Sequence, residues 1–302
     1  MRAKIIGTGW AILSVAIFSG WFVVTLLGFH HKLQVWDIIA LRFGVSALLL
    51  TPILLFGSLK VTLRRWTQGI PLAFLWGVPF IFCLGTGIQW TSTILASAIT
   101  PAMMPVFAGL LGWRVLGTKP RFWPFIGYAL IVVGLTILTT VYGMKNGWPD
   151  LAGIAFLLLA SMMWATFTLR VRQTGFSSIQ ATALICFWSA VFFFPIYFAT
   201  GITSFSSIST TELIYQSVYQ GILMSVVAVF SFNRAVVILG PKAAASIIAL
   251  VPVSVTLLST AVFGEFPSPG TLLADFIIAV GVITAAKQES APGDSNDPAQ
   301  TN

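Results

Sequence analysis

Charge is what this chain has least of. Only 8% of its 302 residues are charged, and two are histidines. A soluble domain carries about 25% charged residues, so a water-exposed fold is excluded. The two cysteines, Cys83 and Cys186, lie in apolar stretches without metal-ligand spacing, and read as packing residues. His30 and His31 sit side by side in a polar connection and read as solvated. There is no P-loop, which excludes ATP hydrolysis by this chain, and no cofactor motif. No Lys or Arg falls at the centre of an apolar stretch, so a sugar phosphate would find no counter-charge there. An intramembrane enzyme needs a nucleophile with its base, or two carboxylates at one depth. No buried His is on offer, and Asp275 has no second carboxylate near its depth.

What the chain has is apolar residues, 57% of the total. They recur in runs of about 20, each long enough to cross roughly 30 Å of hydrocarbon. The bilayer core satisfies no bare backbone, so the runs must be helices. The pattern predicts an all-α polytopic membrane protein with ten spans, at 6–27, 37–57, 69–88, 92–112, 122–142, 151–169, 178–200, 213–233, 243–263 and 268–286. With the N-terminus inside, 13 of the 16 Lys and Arg fall on the cytoplasmic side, among them Arg2, Lys60, Arg64, Arg65, Lys119 and Arg170. Lys32 and Lys145 fall outside, and Arg42 lies within the second span near its outer end. This bias predicts cytoplasmic termini. It also accounts for the net charge of +8 without nucleic acid. The expected partners are lipid and a small-molecule solute; monomer and oligomer both stay open. The polar tail 288–302 reads as disordered and cytoplasmic.

The chain also matches itself. Residues 96–135 lie on 243–282 without a gap, and 13 of the 40 positions are identical. Ala96/Ala243, Pro105/Pro252, Gly117/Gly264, Ile131/Ile278 and Gly134/Gly281 are among them. Chance gives roughly three or four matches at this composition. Ten spans in two copies leave five per copy, so the second copy enters the membrane upside down. The expected units are 1–145 and an inverted 146–287. The Gly117–Pro120 turn carries basic neighbours, whereas Gly264–Pro267 carries none and one acid, Glu265. Inverted repeats are a structural route to alternating access, with the solute near the midplane between the halves. A duplicated scaffold without transport is the alternative.

That depth selects candidate residues. The fourth span offers Thr100, Pro101, Met103, Met104 and Pro105, and the ninth offers Ser246, Leu250, Pro252 and Ser254. Pro101, Pro105 and Pro252 read as hinges, or as simple kinks, because proline removes a helical hydrogen bond. Of 11 tryptophans most lie near span ends, as an interfacial belt requires. Trp21, Trp76, Trp164 and Trp188 lie deeper, with Trp21 and Trp164 at similar places in the two copies. Each faces a cavity or packs against a helix. Phe80, Tyr219, Phe230 and Asn233 extend the candidates along spans three and eight. Asp275 is the acid clearly inside a span, a candidate for ion coupling. A hydrogen bond to a neighbouring helix is the other reading. Asp37 and Arg42 read as a structural or interfacial pair. So little buried charge suits a neutral or zwitterionic solute.

The stretches "ASAITPAMMPVFAGLLGWRVLGTKP" and "AAASIIALVPVSVTLLSTAVFGEFP" resemble the two repeats of the drug/metabolite transporter superfamily, EamA type, as does "LRFGVSALLL" around Arg42. Family members carry a Gly-Glu pair at the end of the fourth helix of each repeat. Here it stands as Gly264-Glu265 in the second copy and Gly117-Thr118 in the first. The resemblance covers about 280 residues. It implies a bacterial inner-membrane exporter of small metabolites, most like those for aromatic amino acids.

Overall fold

The computed structural model describes residues 2–56, 58–116, 122–239, 241–264 and 266–286. All elements among these residues are helical. Helices α1 (Arg2–His30) and α2 (Val35–Leu55) come first. A third unit follows as α3 (Leu63–Trp66), α4 (Gly69–Trp76) and α5 (Val78–Trp90). Then come α6 (Thr93–Leu116), α7 (Phe122–Asn146), α8 (Leu151–Thr174) and α9 (Ser178–Thr200). The eighth unit joins α10 (Thr210–Ser217) through a π-helical segment, Val218–Val227, to α11 (Ala228–Leu239). Helices α12 (Pro241–Phe263) and α13 (Pro269–Ala285) close the chain. Eight of these units are long and apolar enough to cross a membrane; Ala249–Phe263 and α13 are shorter apolar helices.

Local chemistry sets the boundaries. Asp150 caps α8 by accepting from the Ala152 N–H at 2.7 Å. Ser177 and Gln180 form a reciprocal capping box on α9. Gly175 and Gly201 end these two helices in the left-handed region, at φ 65° and 61°.

The breaks do not fall where the prolines suggest. Helix α6 runs unbroken through Pro101 and Pro105, and α12 through Pro252. The third unit is interrupted instead at Gly77, where φ is −99° and ψ −133°. A Cβ at Gly77 would run into Ser189 Oγ and the Ala73 carbonyl, so only glycine fits the break. An offset of 147 carries Gly77 onto Met224, inside the π-helical segment. Both third helices of the repeat thus depart from α-geometry at corresponding positions. Such paired irregularities mark transporter sites, and π-segments cluster at functional positions.

Contacts between the halves are reciprocal. Helix α7 packs most extensively on α13 and α2 on α9, and α6 also packs on α12. Helix α1 packs on the eighth unit, as α8 does on the third. Each of these pairings is its own image or has one, as two related five-helix halves require. At the α7–α13 contact the repeat meets itself: a Cβ on Gly134 would lie 2.7 Å from Ile278 Cγ1, and one on Gly281 2.9 Å from Ile131 Cγ1. Each isoleucine seats over the partner's glycine, which is how membrane helices gain close van der Waals packing.

Candidate functional site

Two interfaces between the halves bring the chemistry together, and they differ in kind. Where α8 meets the third unit, the side chains are aromatic. Trp76 stacks between Phe80 and Phe167 at 4.3 and 5.1 Å between centroids, nearly parallel to both. The half-buried Trp164 leans on Trp76 at 4.9 Å. Phe80 and Trp164 were legible from their depth; Phe167 follows Trp164 by three residues, so one helix face presents both.

Where α1 meets the eighth unit, the side chains are polar. The Trp21 indole N–H donates to Gln220 Oε1 at 2.7 Å. The Gln220 amide donates to Thr25 Oγ1 and to Gln216 Oε1. Gln216 in turn donates to the Val24 carbonyl and to Glu212. His31 Nδ1 lies 3.0 Å from Glu212 Oε2, so that end of the chain of bonds reaches a partly exposed histidine instead of leaving His31 simply solvated. Tyr219 donates to the Ile17 carbonyl at 3.1 Å. Gln216 and Gln220 are fully buried. Two amides barely change the composition of an apolar helix, so composition does not single them out. Their signal was present: two amides at i, i+4 on one face of an apolar helix.

Arg42 and Asp37 do not pair. Five residues on a helix are about 140° apart in azimuth, and the two side chains part accordingly. Asp37 accepts from the Tyr197 hydroxyl at 2.6 Å and from the Ser204 and Gln34 N–H groups, tying α2 to α9 and the following loop. Arg42 is buried at 6% exposure, its guanidinium carbon 5.9 Å from the Trp21 ring centroid.

The other predicted residues scatter. Thr100 is buried, its Oγ1 3.5 Å from the Leu157 carbonyl oxygen, and Met103 and Met104 are half-buried. Phe230 is exposed and meets Trp10 edge-on. Leu250, also exposed, lines an apolar groove of about 650 Å³ between α1 and α12, with Ala11, Ile12, Val15, Ser254 and Leu257. The side chains of Ser246 and Asn233, the 117–121 turn and Glu265 lie outside the described residues. Trp188 donates its N–H to the Trp66 carbonyl, an anchoring role.

Asp275 is 1% exposed, and the Thr256 hydroxyl donates to it at 2.9 Å. Thr256 also lines a cavity of about 470 Å³ at the predicted outer side, with Phe29, His30, Tyr142, Ser259 and Thr271. The acid is therefore one hydroxyl away from that vestibule.

The chain is 28% identical over 263 residues to "Uncharacterized transporter YwfM" of Bacillus subtilis (strain 168), covering 83% of this chain and 84% of that one. It is 25% identical over 211 residues to "Uncharacterized transporter YcxC" of the same organism, covering 66% of each. A solved crystal structure shares the fold, with a TM-score of 0.65 at 15% identity, covering 94% of this chain and 96% of that one. The model of the EamA-like transporter family matches twice, at residues 5–140 and 151–286, once for each half; this multi-pass membrane protein belongs to that family.

Proposed function

We propose that this transporter exports small zwitterionic metabolites bearing an aromatic ring, aromatic amino acids first among them. It does so by alternating access across a bacterial inner membrane, with both termini cytoplasmic. The observation that carries the reading is the unlike pair of interfaces between the halves. One offers stacked rings, the other buried amides and an arginine beside Trp21. An amphipathic solute needs both kinds of surface. In this reading Trp21, Phe80, Trp164 and Tyr219 contact the solute as the halves rock, and Thr100, Met104, Phe230 and Leu250 line its path.

The test is flux into proteoliposomes holding the purified protein, with a labelled panel of neutral and aromatic amino acids. Saturable uptake of the aromatic members above empty liposomes is the expected result. Absence of flux for every amino acid overturns the substrate assignment. The apolar groove between α1 and α12 favours a second reading, in which amphipathic drugs or nucleosides enter from the bilayer. Such compounds belong in the panel.

Two variants examine mechanism in the same assay. Asp275→Asn keeps an acceptor for the Thr256 hydroxyl but cannot carry a proton. It is expected to retain solute exchange and to lose any dependence on an imposed pH gradient. Wild-type flux that ignores the gradient removes Asp275 as a proton carrier. Pro105→Ala and Pro252→Ala are expected to lower turnover several-fold at unchanged protein level. Unchanged flux in both variants rejects the proline hinges and leaves Gly77 and the π-helical segment as the moving parts.

A further inference from the structure

We propose that Arg42 is the residue that recognises the solute, by pairing with its carboxylate. The inference deepens the amphipathic-metabolite reading and rests on it.

Arg42 is the eighth residue of α2, about 10 Å along the helix from its start. The side chain is 94% buried, since 6% of it is exposed. Its Nε and Nη1 atoms are out of contact with solvent and have no hydrogen-bond acceptor among the described residues. Buried cations are normally paired, because leaving one unpaired inside a protein costs several kcal/mol.

Among the described residues, the acids named at this end of the bundle are committed elsewhere. Asp37 accepts from Tyr197, Ser204 and Gln34. Glu212 holds Gln216 and faces His31. Asp275 is bonded to Thr256 on another helix pair. The neighbours of Arg42 are rings, one thiol and backbone: Trp21 at 5.9 Å, Phe43 at 6.0 Å, the buried Cys186 of α9, and the turn that Ser46 ties to the Gly221 carbonyl at 2.9 Å. Gly221 belongs to the π-helical segment, so the guanidinium lies where α1, α2 and the irregular eighth unit converge.

This is a desolvated, singly charged donor set with N–H groups to spare, and it fits a singly charged planar acceptor. A carboxylate matches the guanidinium fork in shape and charge. A phosphate, with more charge, would want a second cation. Among the residues described nearby there is none. Trp21 then does two things at once. Its N–H holds Gln220, and its ring lies against the cation.

The test compares matched probes differing only in the carboxylate: tryptophan against tryptamine, and phenylalanine against phenylalanine amide. Their binding to the purified protein is measured by competition against labelled tryptophan, and their transport by counterflow. Wild type is expected to prefer the carboxylate member by about 10- to 100-fold, the worth of one or two charge-assisted hydrogen bonds. Arg42→Met is expected to erase that preference while still binding tryptamine. Arg42→Lys is expected to keep part of it.

Melting temperature separates recognition from structure. Removing an unpaired buried charge is expected to leave the melting temperature of Arg42→Met unchanged or raised. A lowered melting temperature with an intact carboxylate preference overturns the proposal and makes Arg42 structural. Wild-type transport of tryptamine and the amide without preference for the acids also overturns it, and leaves the transporter reading standing. No binding or flux of any probe brings down both.

Discussion

Replacing Gly281 with leucine is expected to prevent recovery of a folded, monodisperse protein. Overpacking a core with side-chain neighbours costs about 1–3 kcal/mol, because rotamers shift to make room. Here the atoms facing the new Cβ include backbone. Ile131 N would lie at 2.9 Å and the Gly127 carbonyl oxygen at 3.0 Å. Backbone on the facing helix yields only if α7 and α13 separate, and this is the most extensive helix contact in the bundle. The cost is expected to exceed about 3 kcal/mol, a large share of a typical total stability of 5–15 kcal/mol. Gly134→Leu should behave alike, since Ile278 N lies 3.1 Å from its Cβ position. Gly9→Leu is the control, because nothing among the described residues stands within 4 Å of a Cβ there. Size-exclusion profiles of detergent extracts read the result. Normal elution of Gly281→Leu would show that the two halves are not locked at this seam.

Trp164→Ala is expected to weaken the binding of aromatic solutes by up to about 10-fold, the worth of a ring–ring contact, while aliphatic solutes change little. The ring is half-buried against Trp76, with its centroid 6.5 Å from Phe80. It therefore has a face to offer beyond its own packing. Trp164→Phe should restore most of the aromatic preference. Equal losses for all solutes, accompanied by a lower melting temperature, would assign Trp164 to packing and move the aromatic contact to the Trp76 stack. The measurement is inhibition of labelled tryptophan uptake by an aromatic and aliphatic panel, so one preparation supplies its own reference.

The two variants bear on different parts of the molecule, and the sequence foresaw them unequally. Gly134, Gly281, Ile131 and Ile278 were visible as identities between the two copies. That they seat on one another was not visible, because a repeat reveals equivalence and not contact. Trp164 and Phe80 were legible because a deep aromatic in an apolar helix is conspicuous. The polar face opposite was not, because Gln216 and Gln220 barely disturb the composition of a 30-residue apolar unit. Their weight comes from burial, and burial depends on which helix lies across from them. Asp37 and Arg42 are close along the chain but do not pair, because proximity counts for little on a helix unless the spacing is three or four.

The sequence by itself determined the environment, the helical class, the ten apolar segments and the duplication. Each of these follows from hydropathy and self-similarity, which are properties of the chain read locally or against itself. The tertiary structure alone decided where the helices depart from regularity, at Gly77 and over Val218–Val227 and not at the prolines. Membrane helices in general tolerate proline because neighbouring groups re-satisfy what it frees, whereas a steric clash with Ser189 on another helix leaves no room for anything but glycine at position 77. It also decided which polar groups are satisfied. Asp37 and Asp275 find donors on neighbouring helices, and Arg42 keeps N–H groups with no acceptor among the described residues, beside Trp21. The pairing of polar groups depends on three-dimensional neighbours, and no reading along the chain supplies them.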